Sequence, residues 1–278
     1  MSHFRSIFRF ISTNNSYQVS FYGPRNNAFD TFLPSDIVGL ATWIDLADST
    51  VVTSSGGFID AITNKGSTVC TFRPNGSTAR PFLSGASVNG RDSAGFDGVN
   101  DILTSSVSAA SCFGVSPGTT TNFTIGFTLK PNRINTVNAF PFGLDVVLAQ
   151  GNASIGANIG SSFSINQRLW FDYGSTDAFN WVRSNDAQIS AGTTFCAVIR
   201  LLTNSYDLYV DGTFVSGVIR SFNPTLVAGS LRIGNEIFPA NGGPAKMDLC
   251  EMVIYSGSLS PTEITTLSSY FMDKWGIT

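Results

Sequence analysis

The stretch GFDGVNDIL (residues 95–103) sets the carboxylates Asp97 and Asp101 four positions apart, with Gly98 and Asn100 between them and apolar residues at both ends. Three kinds of chemistry fit that spacing: a metal loop, a catalytic acid pair, or a tight turn between strands. Calcium takes six or more oxygen ligands, and Asp97, Asp101 and Asn100 supply about half of them. Aspartates also accept hydrogen bonds from backbone amides just along the chain, which closes turns. A second acid pair, Asp248 and Glu251, lies in the strand-like run DLCEMVI. Side chains alternate across a strand, so this odd spacing predicts opposite faces and no shared acid–base centre. A third cluster, RLWFDYGSTDAFNW (168–181), brings Trp170, Tyr173, Asp177, Asn180 and Trp181 into one short segment. Aromatic platforms beside planar amides and carboxylates suit sugar binding; the competing reading makes one of the two tryptophans core. His3 is the sole histidine, so any triad, Cys-His pair or zinc site of several histidines would depend on it alone.

The elements that must position these groups are strands. Only 13% of the 278 residues are charged, about half the usual share, and lysine is scarce beside arginine, four against twelve. Serine, threonine, asparagine, glycine and 23 phenylalanines fill the gap, a mixture suited to many strands and turns. The runs at 40–46, 122–130, 145–151, 162–174 and 194–202 read as strands. In YDLYVDGTFVSG (206–217), Asp211-Gly212 between alternating runs predicts a two-residue hairpin turn. The ending SLSPTEITTLSSYFMDKWGIT predicts one helix: Ser260 as N-cap, Pro261 at the first position, and Glu263 completing a capping box. That use commits the Glu263 carboxylate to the helix start. The predicted fold class is therefore all-β, a two-sheet antiparallel sandwich or jelly roll with one C-terminal helix.

A net charge of −3 gives no footprint for nucleic acid, and no apolar run approaches the roughly 20 residues of a membrane-spanning helix. Cys70, Cys112, Cys196 and Cys250 are widely spaced without metal-ligand pattern; Cys70, Cys196 and Cys250 sit in strand-like apolar runs where buried free thiols are expected, and disulfides stay open. Residues 1–32 differ in texture from the rest, with Arg5, Arg9 and aromatics at Phe4, Phe8 and Phe10. Arg9 interrupts the apolar region that a secretory signal needs. An arm that docks for assembly and an extra strand of the same domain are equally compatible with this composition. The expected division is an N-terminal arm, 1–32, and a sandwich, 33–278.

Three segments carry a resemblance: LPSDIVGLATWIDLAD (33–48), ARPFLSGASVNGRDSAGFDGVNDIL (79–103) and EMVIYSGSLSPTEITTLSSYFMDKWGI (251–277). Together they resemble the concanavalin A-like, laminin-G-type jelly-roll domain over roughly residues 33–277. One departure is FIDAITNKGST (58–68), where many relatives have Trp-x-Asp-x-Ser-Gly-x-Gly-Asn. The resemblance implies that Asp97, Asn100 and Asp101 form a structural turn, with calcium as the alternative. It also brings in glycoside hydrolases and lyases, whose Glu-x-Asp-x-x-Glu string is missing here, so catalysis is not expected. Domains of this family recur in bacteriophage virion proteins. The expected function is accordingly a virion surface protein, as capsid decoration, head fibre or tail-associated part, anchored through its arm to other virion proteins. Glycan binding and a homo-oligomer or larger assembly belong to the same expectation, with no cofactor. The alternative is a free carbohydrate-binding lectin.

Overall fold

The computed structural model describes residues 12–13, 16–17, 32–120, 122–132, 138–144, 153–158, 168–173, 181–183, 189–203, 205–219, 225–226, 229–234 and 242–278. Contacts divide the chain into two units, Met1–Phe32 and Leu33–Thr278. In the first, β1 (Ser12–Thr13) pairs antiparallel with β2 (Ser16–Tyr17). Phe4, Arg5, Phe8, Arg9 and Phe10 lie outside the described residues.

The second unit runs through β3 (Leu40–Asp45), β4 (Val52–Ser55), β5 (Phe58–Thr63), β6 (Thr71–Pro74), β7 (Phe82–Val88), β8 (Arg91–Asp97) and β9 (Leu103–Ser108). The single-turn helix α1 (Ala109–Cys112) precedes β10 (Thr119–Thr120), β11 (Phe123–Pro131), β12 (Asn138–Leu144), β13 (Ala153–Asn158), β14 (Arg168–Tyr173) and β15 (Trp181–Arg183). Then come β16 (Phe195–Leu202), β17 (Ser205–Val210), β18 (Thr213–Ile219), β19 (Thr225–Leu226), β20 (Ser230–Ile233), β21 (Gly242–Pro244), β22 (Lys246–Tyr255) and helix α2 (Pro261–Trp275). The expected strand at 145–151 and the first part of the one at 162–174 lie outside the described residues.

Pairing sorts these strands into two sets. The first runs β18–β17–β16–β11–β22; beyond β22, β8 pairs with its first half and β3 with its second, and β7 follows β8. The second runs β4–β5–β6–β9–β20–β12–β13–β14–β15, with β21 parallel to β12. The pair Phe58↔Phe82 bridges the two. This is the expected all-β jelly-roll sandwich with one long helix at its C-terminus.

Alternation decides what each strand buries. In β17 only Tyr206, Leu208 and Val210 are fully inside, one face of a strand with one covered side. Strand β11 is buried along nearly its whole length because both faces are covered. Phe123, Ile125, Phe127 and Leu129 enter the core between the sheets, while Gly126 lies under α2. A Cβ at Gly126 would stand 3.0 Å from Val253 and 3.1 Å from Leu267 and Phe271, so the helix approaches as closely as a missing side chain permits. Helix α2 begins as its sequence predicts. Ser260 Oγ accepts from the Glu263 N–H and Glu263 Oε2 accepts from the Ser260 N–H. It ends on Gly276 in the left-handed conformation, φ 68°.

One register shift changes the chemistry of a face. Thr128 pairs with Glu251 but Leu129 pairs with Leu249, leaving Cys250 as an extra residue in β22. Met247, Leu249, Met252 and Ile254 all enter the core, so the pleat changes parity at the bulge. Asp248 and Glu251 therefore share the outer face, the one that carries α2. The odd spacing that predicted opposite faces is overturned by that single inserted residue.

Candidate functional site

Strand β8 delivers the first candidate at its end. Asp97 N–H donates to Asp101 Oδ2 at 2.8 Å, while Asp97 Oδ1 accepts from the amides of Val99 at 2.7 Å and Asn100 at 3.3 Å. Gly98 takes φ 75°, a conformation that costs residues with a Cβ. Asn100 is exposed and Asp101 is buried. Burial pushes the Asp101 carboxyl up, and the Asp97 charge adds to that rise. Both carboxylates thus spend oxygens on the loop's own amides. Among the described residues no group of three or more His, Cys, Asp or Glu side chains could hold a metal ion.

Of the 168–181 cluster, Trp170 and Tyr173 fall in β14 and Trp181 opens β15, whereas Asp177 and Asn180 lie outside the described residues. The ladder pairs Asp172 with Trp181 and Trp170 with Arg183, so backbone positions 170 and 181 stand diagonally on adjacent strands. Leu169, next to Trp170 in β14, is fully buried.

Two clusters went unrecognised in the sequence. The first surrounds Glu251, 0% exposed, whose acceptors are fully used. Oε1 accepts from Trp43 Nε1 at 2.7 Å and Tyr270 O–H at 2.8 Å; Oε2 accepts from Trp275 Nε1 and Lys274 Nζ, both at 2.8 Å. Burial pushes this carboxyl up and the Lys274 ammonium opposes the rise. Lys274 continues to Asp45, which also meets Lys65; Lys65 reaches Asp48 at 2.8 Å and lies 4.0 Å over the Trp43 ring. Four donors on one buried carboxylate leave no lone pair for a ligand. The arrangement locks the last turns of α2 to β3 and β22. Nearby, Asn64 ties the 58–68 segment to β3, accepting from Trp43 N–H at 2.6 Å and donating to Ala41 O at 2.9 Å.

The second cluster is on the surface, at the bridge between the two strand sets. Phe82 is 46% exposed and its ring lies 4.6 Å from that of Phe58. Arg80 Nη2 pairs with Asp60 at 2.6 Å and donates to Ser55 O and Ser55 Oγ, with its guanidinium 5.3 Å from the Phe58 ring centre. A partly exposed ring beside an oriented carboxylate is the chemistry of a sugar-stacking surface. The signal in the sequence was ARPF, an arginine and phenylalanine two apart on a strand start, but their partners Phe58 and Asp60 come from a strand only the fold brings alongside.

The family model for the concanavalin A-like lectin/glucanases superfamily matches residues 103–265, more than half of the chain. No curated protein matches the sequence. Similar solved structures include domain 4 of AbnA, a GH43 extracellular arabinanase from Geobacillus stearothermophilus, in complex with arabinotriose: 19% identity, 83% of this chain and 98% of that one, TM-score 0.51. Trypanosoma rangeli sialidase with 2,3-difluorosialic acid matches at 15% identity over 87% of this chain and 34% of that one, TM-score 0.58. The receptor binding domain of botulinum neurotoxin D matches at 9% identity over 83% of this chain and 52% of that one, TM-score 0.55. This chain thus spans about a third of the sialidase and half of the neurotoxin binding domain.

These likenesses correct one expectation. The exclusion of catalysis drawn from the sequence does not stand, because glycoside hydrolases are among the similar structures. Its structural premise also fails, since the bulge in β22 places Asp248 and Glu251 on one face. At such low identities the likeness shows a shared fold, and enzymatic activity is not established.

Proposed function

Because the chain belongs to the concanavalin A-like lectin/glucanases superfamily, we propose that its sandwich binds glycans. Structures similar in fold were solved with arabinotriose and with a sialic acid derivative, which supports a sugar ligand class. The observation in this chain that carries the reading is Phe82, an exposed ring backed by Phe58 and flanked by the Asp60–Arg80 pair. Sugar C–H groups stack on such a ring while hydroxyls donate to the carboxylate. Trp170, Tyr173 and Trp181 on β14 and β15 are the second candidate surface.

A glycan array, followed by titration of the best ligand, tests both. Phe82→Ala is expected to weaken binding about tenfold or more, the loss of one stacked ring, with the melting temperature changed by only a few degrees. Loss on Trp181→Ala alone moves the site to β14–β15. Absence of any glycan ligand for the parent chain ends the reading. Binding on this account needs no cofactor, and affinity unchanged by a calcium chelator is the expected result.

The proposed setting is a virion surface, as capsid decoration, head fibre or tail-associated part, with residues 1–32 anchoring the chain to copies of itself or to other virion proteins. Its support is the aromatic and arginine content of that segment and the scarcity of lysine. Sedimentation from the natural source with a multi-megadalton particle is the expected outcome. A single chain or small oligomer favours the second reading, a free lectin.

A further inference from the structure

Two of the four cysteines lie in one core cluster inside the sandwich. Cys70 immediately precedes β6 and Cys112 ends α1; both are buried free thiols, and hydrogen bonds on either side of Cys70 reach the stretch 106–112 that ends in Cys112. The backbone on either side of the pair is pinned. Thr68 Oγ1 donates to Ser111 O at 2.8 Å, Thr71 N–H to Ser106 Oγ at 3.0 Å, and Thr42 Oγ1 to Cys112 O at 2.7 Å. The Cys70 carbonyl accepts from Asn64 N–H at 3.1 Å. The other two thiols are engaged elsewhere, Cys196 with Ser268 O under α2 and Cys250 with Asp248 O.

We propose that Cys70 and Cys112 are a specific cystine site, whose reversible disulfide ties the β5–β6 connection to α1. The oxidant is a small-molecule disulfide such as oxidised glutathione. Either thiol can begin the exchange, and the balance is the same from Cys112 as from Cys70. The Cys112 thiolate displaces one small thiol and forms a mixed disulfide. The Cys70 thiolate then attacks the Cys112 sulfur and expels the second small thiol. Two protein thiols are oxidised, and one small disulfide is reduced to two thiols. Buried thiols are inert in the closed core, so exchange occurs during folding or when the segment around Cys70 opens.

The test refolds the full chain from denaturant with oxidised glutathione or with dithiothreitol, so that burial cannot hide the thiols. Expected with the oxidant are two titratable thiols of four, and a peptide map linking Cys70 to Cys112. Cross-linking about forty residues apart restricts the unfolded chain, and the melting temperature is expected to rise by roughly 10 °C, reversed by reductant. Cys112→Ser is expected to keep all its thiols in both conditions and to show no such rise. Four free thiols, glutathione adducts without a linkage, or a linkage to Cys196 or Cys250 would each overturn the proposal. The peptide map of the unmodified sequence decides the matter even where Cys112→Ser does not fold.

Discussion

Glu251 shows how a single residue can be fully visible in a sequence and still be illegible. Its partner Trp43 is 208 positions away, and its partners on α2 become neighbours only after the helix packs. Removing its charge leaves two indole N–H groups, a phenol and an ammonium facing an amide that must itself donate. Glu251→Gln is therefore expected to destabilise the fold by about 3 kcal/mol or more, read as a lower urea midpoint at unchanged m-value. A shift of a few tenths would show that the cluster relaxes around the loss. Asp48 acts differently, since it is partly exposed. The Lys65 ammonium and the Thr50 hydroxyl hold its carboxyl down at about 2, below the ordinary 3.8. A lowered folded pKa means stability that is present above the ordinary aspartate range and disappears as pH falls through about 2. Asp48→Asn is expected to flatten the decline of stability between pH 4 and 2, as measured by urea unfolding across that range. An unchanged slope would assign the acid sensitivity to other carboxylates.

At the scale of elements, local signals were legible and parity was not. Asp211 and Gly212 both take positive φ, 46° and 73°, and join β17 to β18 through the two-residue turn that their types demand. Ser260, Pro261 and Glu263 start α2 for reasons contained within four residues. The bulge in β22 had no such local mark: DLCEMVI reads as even alternation, and the extra residue is visible only against the register of β11. Sheet order was equally hidden, because the neighbours of β22 come from β3, β8 and β11, far apart in sequence. Gly126 belongs to the same class, an ordinary strand glycine until Leu267 and Phe271 close over it. Gly126→Val is expected to cost about 1–3 kcal/mol by lifting α2 from β11. The cost should be absent in a chain already lacking the helix contact, so Gly126→Val combined with Phe271→Ala should fall short of the sum. Additivity of the two would place the strain elsewhere.

At the scale of the whole molecule, the described core is confined to one part of the chain. Every buried hydrophobic side chain described lies at Ile37 or later, and the core cluster extends from Ile44 to Ile254. The surface proposed for glycans, at Phe58, Asp60, Arg80 and Phe82, lies within the same unit. The segment 1–32 differs in composition from the rest, as aromatic and arginine-bearing sequence without an acidic residue before Asp30. A chain reduced to residues 33–278 is therefore expected to unfold cooperatively, with a melting temperature within a few degrees of the full chain and unchanged affinity for the same glycan. Loss of cooperativity would mean that residues 1–32 supply part of the core. Retained folding with lost affinity would move the sugar site toward that segment and away from Phe82. If both properties persist while the shortened chain no longer sediments with particles, binding and anchoring are carried by different parts of one sequence, and each can be altered without the other.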